Sequence, residues 1–228
     1  MLDYKLYKTT DNPKSLVVFL HGYNGDLEDH KYAIDWLKNS LTSAYLATPI
    51  APENCDKNPE KRQWFGMLKY DPEYKRSNPD TSIKEIFDIY NEAQNDLDCR
   101  ANDINQFITK LQRELSINNA HTYLIGFSQG AMLTIYTSLT RNAPLAGAFA
   151  VAGLVAGSDL LEKKIAAKPL LYMLHGEDDL KVQYKTLPNS LKWLKAHGVN
   201  VSSSTYTHLA HRVNEDEISK ISSIINNA

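Results

Sequence analysis

The chain has little of what marks the specialised protein classes. Two cysteines in 228 residues, Cys55 and Cys99, are too few for a disulfide framework and lack the spacing of metal ligands. They read as free thiols of a reducing, cytoplasmic environment. Neither charge sign dominates: 25 basic and 27 acidic residues leave a formal net charge of −2. Basic pairs such as Lys61-Arg62 and Lys163-Lys164 are isolated, which leaves no footprint for nucleic acid. No apolar run approaches the ~20 residues of a membrane span, and Met1 to Lys5 lacks the charged leader and apolar run of a secretory signal. Repeats and low-complexity tracts are absent too.

What is present is an ordinary globular composition, 43% hydrophobic and 23% charged. A single domain over residues 1–228 is expected, since a chain of this length buries roughly 70–75% of its unfolded surface. Short apolar runs alternate with amphipathic stretches, as strands and crossover helices do in a mostly parallel sheet covered by helices on both faces. Leu16 to Leu20, Ala44 to Ala47, Tyr123 to Ile125, Ala146 to Val151, Leu170 to Leu174 and Val199 to Tyr206 read as strands. Helical spacing covers Tyr32 to Leu37, Ile83 to Leu115 with a break near Tyr90, Ala131 to Leu139, Leu187 to Ala196 and Ile218 to Ile225. Residues 49–80 hold Pro49, Pro52, Pro59, Pro72 and Pro79 among polar residues and read as a long irregular excursion. Loops of that length in compact domains usually serve a site.

Gly126-Phe127-Ser128-Gln129-Gly130 is the motif that carries chemistry. Gly-x-Ser-x-Gly builds a tight strand-to-helix turn in which flanking glycines remove Cβ clashes and the serine Oγ stands clear above the sheet. Chance alone supplies the pattern in about one chain in thirteen of this length, at roughly 7% usage per fixed residue. Its setting adds weight, because Tyr123-Leu124-Ile125 precedes it and a helix-compatible run follows.

A nucleophilic serine needs a base and a group that orients the base, in the chain order Ser, acid, His for this fold class. His175-Gly176-Glu177-Asp178-Asp179 follows a strand, and any of its three acids fits by spacing. His208-Leu209-Ala210-His211 lies past the last strand and holds two candidate bases. No cysteine or carboxylate beside them completes a metal site, so neither metal nor cofactor is expected. The oxyanion would be held by the Gln129 amide and by the Tyr23 amide of the loop His21-Gly22-Tyr23-Asn24-Gly25.

With these motifs assembled, the chain from Leu16 onward resembles the phospholipase/carboxylesterase family of α/β-hydrolases, which includes acyl-protein thioesterases. The resemblance rests on Val18-Phe19-Leu20-His21-Gly22, Arg62-Gln63-Trp64-Phe65, the Ser128 motif, His175-Gly176 with Asp179, and a histidine ahead of the last helix. It implies Ser128, Asp179 and His211 as catalytic residues acting on a small ester or thioester. An acylated protein or lysophospholipid at a membrane is the alternative substrate, and a non-catalytic binding module is the rival reading. Two departures stand out: His208 replaces a family glycine, and Gly66 to Asp80 is charged where relatives receive a lipid chain. Trp64, Phe65, Met67 and Leu180 are the candidate walls of a short apolar pocket. No stripe identifies an interface, so monomer and homodimer both stay open.

Overall fold

The computed structural model describes residues 2–228. Its strands are β1 (Tyr4–Lys8), β2 (Ser15–Leu20), β3 (Ala44–Pro49), β4 (Glu53–Asn54), β5 (Arg62–Gln63), β6 (Thr122–Phe127), β7 (Gly147–Val151), β8 (Leu171–Gly176) and β9 (Val201–Tyr206). Its helices are α1 (Lys31–Ser40), α2 (Ile83–Glu92), α3 (Gln94–Leu115), α4 (Gln129–Thr140), α5 (Ser158–Leu161), α6 (Leu187–Ala196) and α7 (Glu215–Asn226). Seven strands form one sheet in the order β1-β3-β2-β6-β7-β8-β9. All neighbours pair in parallel except β1 with β3.

Both faces of the sheet are buried, which is why its central strands are continuous apolar runs. Successive residues of a strand point to opposite faces, so Leu16, Val18 and Leu20 pack with α2, α3 and α4, while Val17 and Phe19 pack with α1 and α7. The α4 helix is buried along almost its whole length and sits directly on β6 and β7. Because β2, β6, β8 and β9 run the same way, the loops that carry His21, Ser128, Asp179 and His211 leave the sheet at one edge. That carboxyl edge is where open α/β sheets place their sites.

Three features differ from the sequence reading. The N-terminal Tyr4–Lys8 is an antiparallel edge strand, whose exposed Lys5 and Lys8 and half-buried Tyr4 and Tyr7 suit a sheet margin. The interruption of the long helix falls at Ala93, and Tyr90 lies inside α2. Neither Gly nor Pro marks it, so periodicity alone could not position it. Pro49 closes β3, and the excursion that follows holds the small β4-β5 ribbon and a helical turn at Lys75–Ser77.

Candidate active site

The local chain path around Ser128 follows from the two glycines. Ser128 has φ 55° and ψ −116°, a conformation that costs a non-glycine residue of order 1–3 kcal/mol. A Cβ on Gly126 would lie 2.2 Å from the Gly130 carbonyl oxygen, and one on Gly130 would lie 2.3 Å from the Leu20 carbonyl oxygen. Only glycine fits either place. The Ser128 amide donates to the Val151 carbonyl at 2.9 Å, tying the elbow to β7. Gln129 is the first residue of α4, so its amide has no acceptor within the helix and is free to hold an anion.

Three side chains then meet in line. His211 Nε2 lies 2.9 Å from Ser128 Oγ, and His211 Nδ1 lies 2.7 Å from Asp179 Oδ2. Asp179 is buried, whereas Glu177 and Asp178 are exposed on the same turn. Its Oδ1 accepts from the Lys181 amide at 2.8 Å and the Val182 amide at 3.1 Å. Burial alone would push this carboxyl up; hydrogen bonds from His175 and His211 outweigh it and hold the group at about 2. It is therefore anionic at neutral pH, as an orienting group for imidazole must be. His175 Nε2 donates to the Val182 carbonyl at 2.8 Å and stands 3.3 Å from Asp179 Oδ2.

His21 is a strut and not a base. The Ala51 amide donates to its Nε2 at 3.0 Å, so Nδ1 carries the proton that goes to the Gly22 carbonyl at 2.8 Å. Burial lowers its pKa to about 4, which keeps the imidazole neutral. Gly22 packs against Phe127 and Ser128, which brings the following Tyr23 to the Ser128 turn. The Tyr23 hydroxyl donates to Asp56, and burial followed by that bond pushes its pKa up.

The phospholipase/carboxylesterase family model matches residues 4–228. The chain belongs to this family. Carboxylesterase SOBER1 of Arabidopsis thaliana is 24% identical over 223 residues, covering 93% of this chain and 90% of that protein. An acyl-protein thioesterase 1 homolog of Dictyostelium discoideum is 28% identical over 63% of this chain and 64% of its own length. Among solved structures, esterase PE8 superposes with a TM-score of 0.84 at 25% identity, covering 99% of this chain and 98% of that one.

Beside Ser128 the family member has a cavity of about 220 Å³, lined by Tyr23, Met67, Tyr90, Gln129, Met132, Val182 and His211 among others. Of the four residues expected to wall it, only Met67 does. Trp64 and Phe65 are fully buried beneath it. The Gln129 side chain clamps them there, accepting from the Trp64 amide at 2.8 Å and donating to the Phe65 carbonyl at 2.7 Å. Trp64 Nε1 also donates to the His21 carbonyl at 2.9 Å. Leu180 is 60% exposed, because the turn that buries Asp179 sends the next side chain outward. Lys181 and Val182 line the cavity in its place. Tyr74, Arg76 and Tyr90 also line it and were not foreseen; their approach to Ser128 depends on long-range folding, and no local pattern announces it. His208 is exposed, adopts φ 58° and does not line the cavity.

Proposed function

We propose that this family member is a serine carboxylesterase acting through an acyl-enzyme on Ser128, with Asp179 and His211 completing a catalytic triad. The observation that carries the reading is the continuous chain Ser128 Oγ, His211 Nε2, His211 Nδ1, Asp179 Oδ2, with spacings of 2.9 and 2.7 Å, built on a strained elbow. Ser128 Oγ attacks the ester or thioester carbonyl while His211 Nε2 takes its proton. The oxyanion is held by the amides of Gln129 and Tyr23. Collapse expels the alcohol or thiol with the proton that His211 returns. A water, deprotonated by the same imidazole, then attacks the acyl-enzyme and releases the acid. None of these steps needs a metal or cofactor.

The cavity volume favours a small substrate, since pockets that enclose drug-sized ligands run from about 300 to 1,000 Å³. A lysophospholipid or long acyl chain on a protein is the second reading, favoured by the exposed Leu180 near the Asp179 turn and by the thioesterase relatives. A fluorophosphonate probe should label Ser128 in the folded protein, and Ser128→Ala should lose at least a thousandfold in turnover of p-nitrophenyl acetate. Wild-type turnover in that variant overturns the proposal. A series of esters and thioesters of rising chain length separates the two substrate readings, with kcat/KM highest at two to four carbons for the small-ester enzyme.

A further inference from the structure

We infer that the substrate is a small ester bearing a free carboxylate, recognised in the Ser128 cavity by Arg76 and Tyr90 with Lys57 and Lys181 at its rim. The inference rests on the esterase reading above and names the substrate class of that site.

No Asp or Glu lines this cavity, whereas three cations do: Lys57, Arg76 and Lys181. The carboxylates nearby are engaged. Asp71 pairs with Arg76 Nη1 at 2.6 Å, Asp56 accepts from the Tyr23 hydroxyl and the Met67 and Leu68 amides, and Asp179 holds His211. Lys57 and Lys181 make no ion pair among the described residues. No carboxylate lines the cavity itself, so the exposed Lys57 and Lys181 ammonium groups are free to attract an incoming anion at its mouth.

Arg76 is the built part of the site. It is 7% exposed, and its hydrogen bonds to protein go through Nη1 to Asp71. That leaves the other edge of a planar fork, whose geometry suits a carboxylate. The segment that carries it is fixed to the Asp179 loop. Gln183 Nε2 donates to the Arg76 and Asn78 carbonyls at 2.9 and 2.8 Å, and Ser77 Oγ donates to the Lys181 carbonyl at 3.2 Å. Its guanidinium also lies over the Tyr23 and Tyr74 rings, at 5.9 and 5.2 Å from their centroids. Tyr90, 4% exposed, lines the same wall, and burial pushes its pKa up to about 12, so its hydroxyl stays a donor. Two buried polar donors and two unpaired lysines are poor company for an alkyl chain, because polar groups desolvated without partners are costly.

Monoethyl succinate and its uncharged isostere ethyl 4-methylpentanoate test this in a pH-stat assay. The wild-type enzyme should prefer the monoester anion by at least tenfold in kcat/KM. The Lys57→Glu, Lys181→Glu double variant should lower that ratio at least tenfold, and Arg76→Lys, which keeps the charge on Asp71 but loses the fork, should lower it through KM. A wild-type ratio of one or less, or a ratio unmoved in both variants, overturns the inference and leaves the cations as struts of the loop. Ser128 labelled by fluorophosphonate with a ratio near one sinks only this inference. An unlabelled Ser128 with neither ester hydrolysed sinks the esterase reading with it.

Discussion

Replacing Asp179 with asparagine changes one atom type and should cost almost all activity, for a reason that can be followed bond by bond. Oδ1 of Asp179 accepts two amides, from Lys181 and Val182, so the asparagine must keep its carbonyl oxygen there. Its NH₂ then takes the place of Oδ2, 2.7 Å from His211 Nδ1. An NH₂ is a donor, and Nδ1 must turn from donor to acceptor to meet it. The proton moves to Nε2, which now points it at Ser128 Oγ and can no longer accept one. The corresponding change in serine protease triads lowers kcat about 10⁴-fold, equivalent to about 5.4 kcal/mol of barrier. Stability should fall much less. Asp179 sits at about 2 against an ordinary 3.8, so the native state favours its ionised form. That contribution, roughly 2 kcal/mol, is present above pH 4 and lost as pH falls through about 2. The assay is kcat/KM on p-nitrophenyl acetate at pH 7.5 with circular dichroism on the same sample. Exposed Asp178→Asn, the control, should stay within twofold of wild type. A folded Asp179→Asn protein within tenfold of wild type would refute the tautomer argument, as would an equal loss in Asp178→Asn.

Three further outcomes follow from the packing. Gly130→Ala puts a methyl 2.3 Å from the Leu20 carbonyl and should destabilise by more than about 3 kcal/mol, read as a drop in the midpoint of urea unfolding. His208 pays for a left-handed φ of 58° without lining the cavity, so His208→Gly should gain roughly 0.5–1 kcal/mol and keep kcat; a lower Tm contradicts this. Glu217 is fully buried in the capping box of α7, where burial, the largest cause, raises its pKa from 4.5 to about 7. The native state then binds more protons than the unfolded chain between those values, so stability falls as pH rises from about 4.5 to 7, by roughly 3 kcal/mol at most. Glu217→Gln should flatten that slope and raise Tm at pH 8; an unchanged slope counts against it.

The central strands and their mostly parallel sheet were legible because each is a short apolar run bounded by turn residues, and a two-sided sheet needs such runs; the spatial order of the strands was not. The tight turn at Ser128 was legible for a steric reason: the clashes at Gly126 and Gly130 are local, within the same few residues or the strand next door. Choosing among Glu177, Asp178 and Asp179 was beyond spacing alone, since the three differ only in which way the turn buries them. Family resemblance made that choice, and the geometry places Asp179 against His211. The cavity walls were misread at Trp64, Phe65 and Leu180. Aromatic residues in an irregular loop serve equally as a pocket or as an anchor, and the Gln129 clamp that decides it spans about sixty-five residues of chain. Arg76 and Tyr90 line the cavity beside Ser128 from a helical turn and a helix whose positions depend on the whole excursion.

The central claim is that Ser128 carries the acyl group during turnover. Rapid mixing with p-nitrophenyl acetate, acid quench and peptide mass spectrometry tests it most directly. One acetyl group is expected on the peptide containing Ser128, formed with a burst of p-nitrophenol, and lost both in Ser128→Ala and in His211→Ala, which lacks the base that takes the Ser128 proton. An acetyl group found on another residue at the same rate, or full turnover without any acylated Ser128, would contradict it.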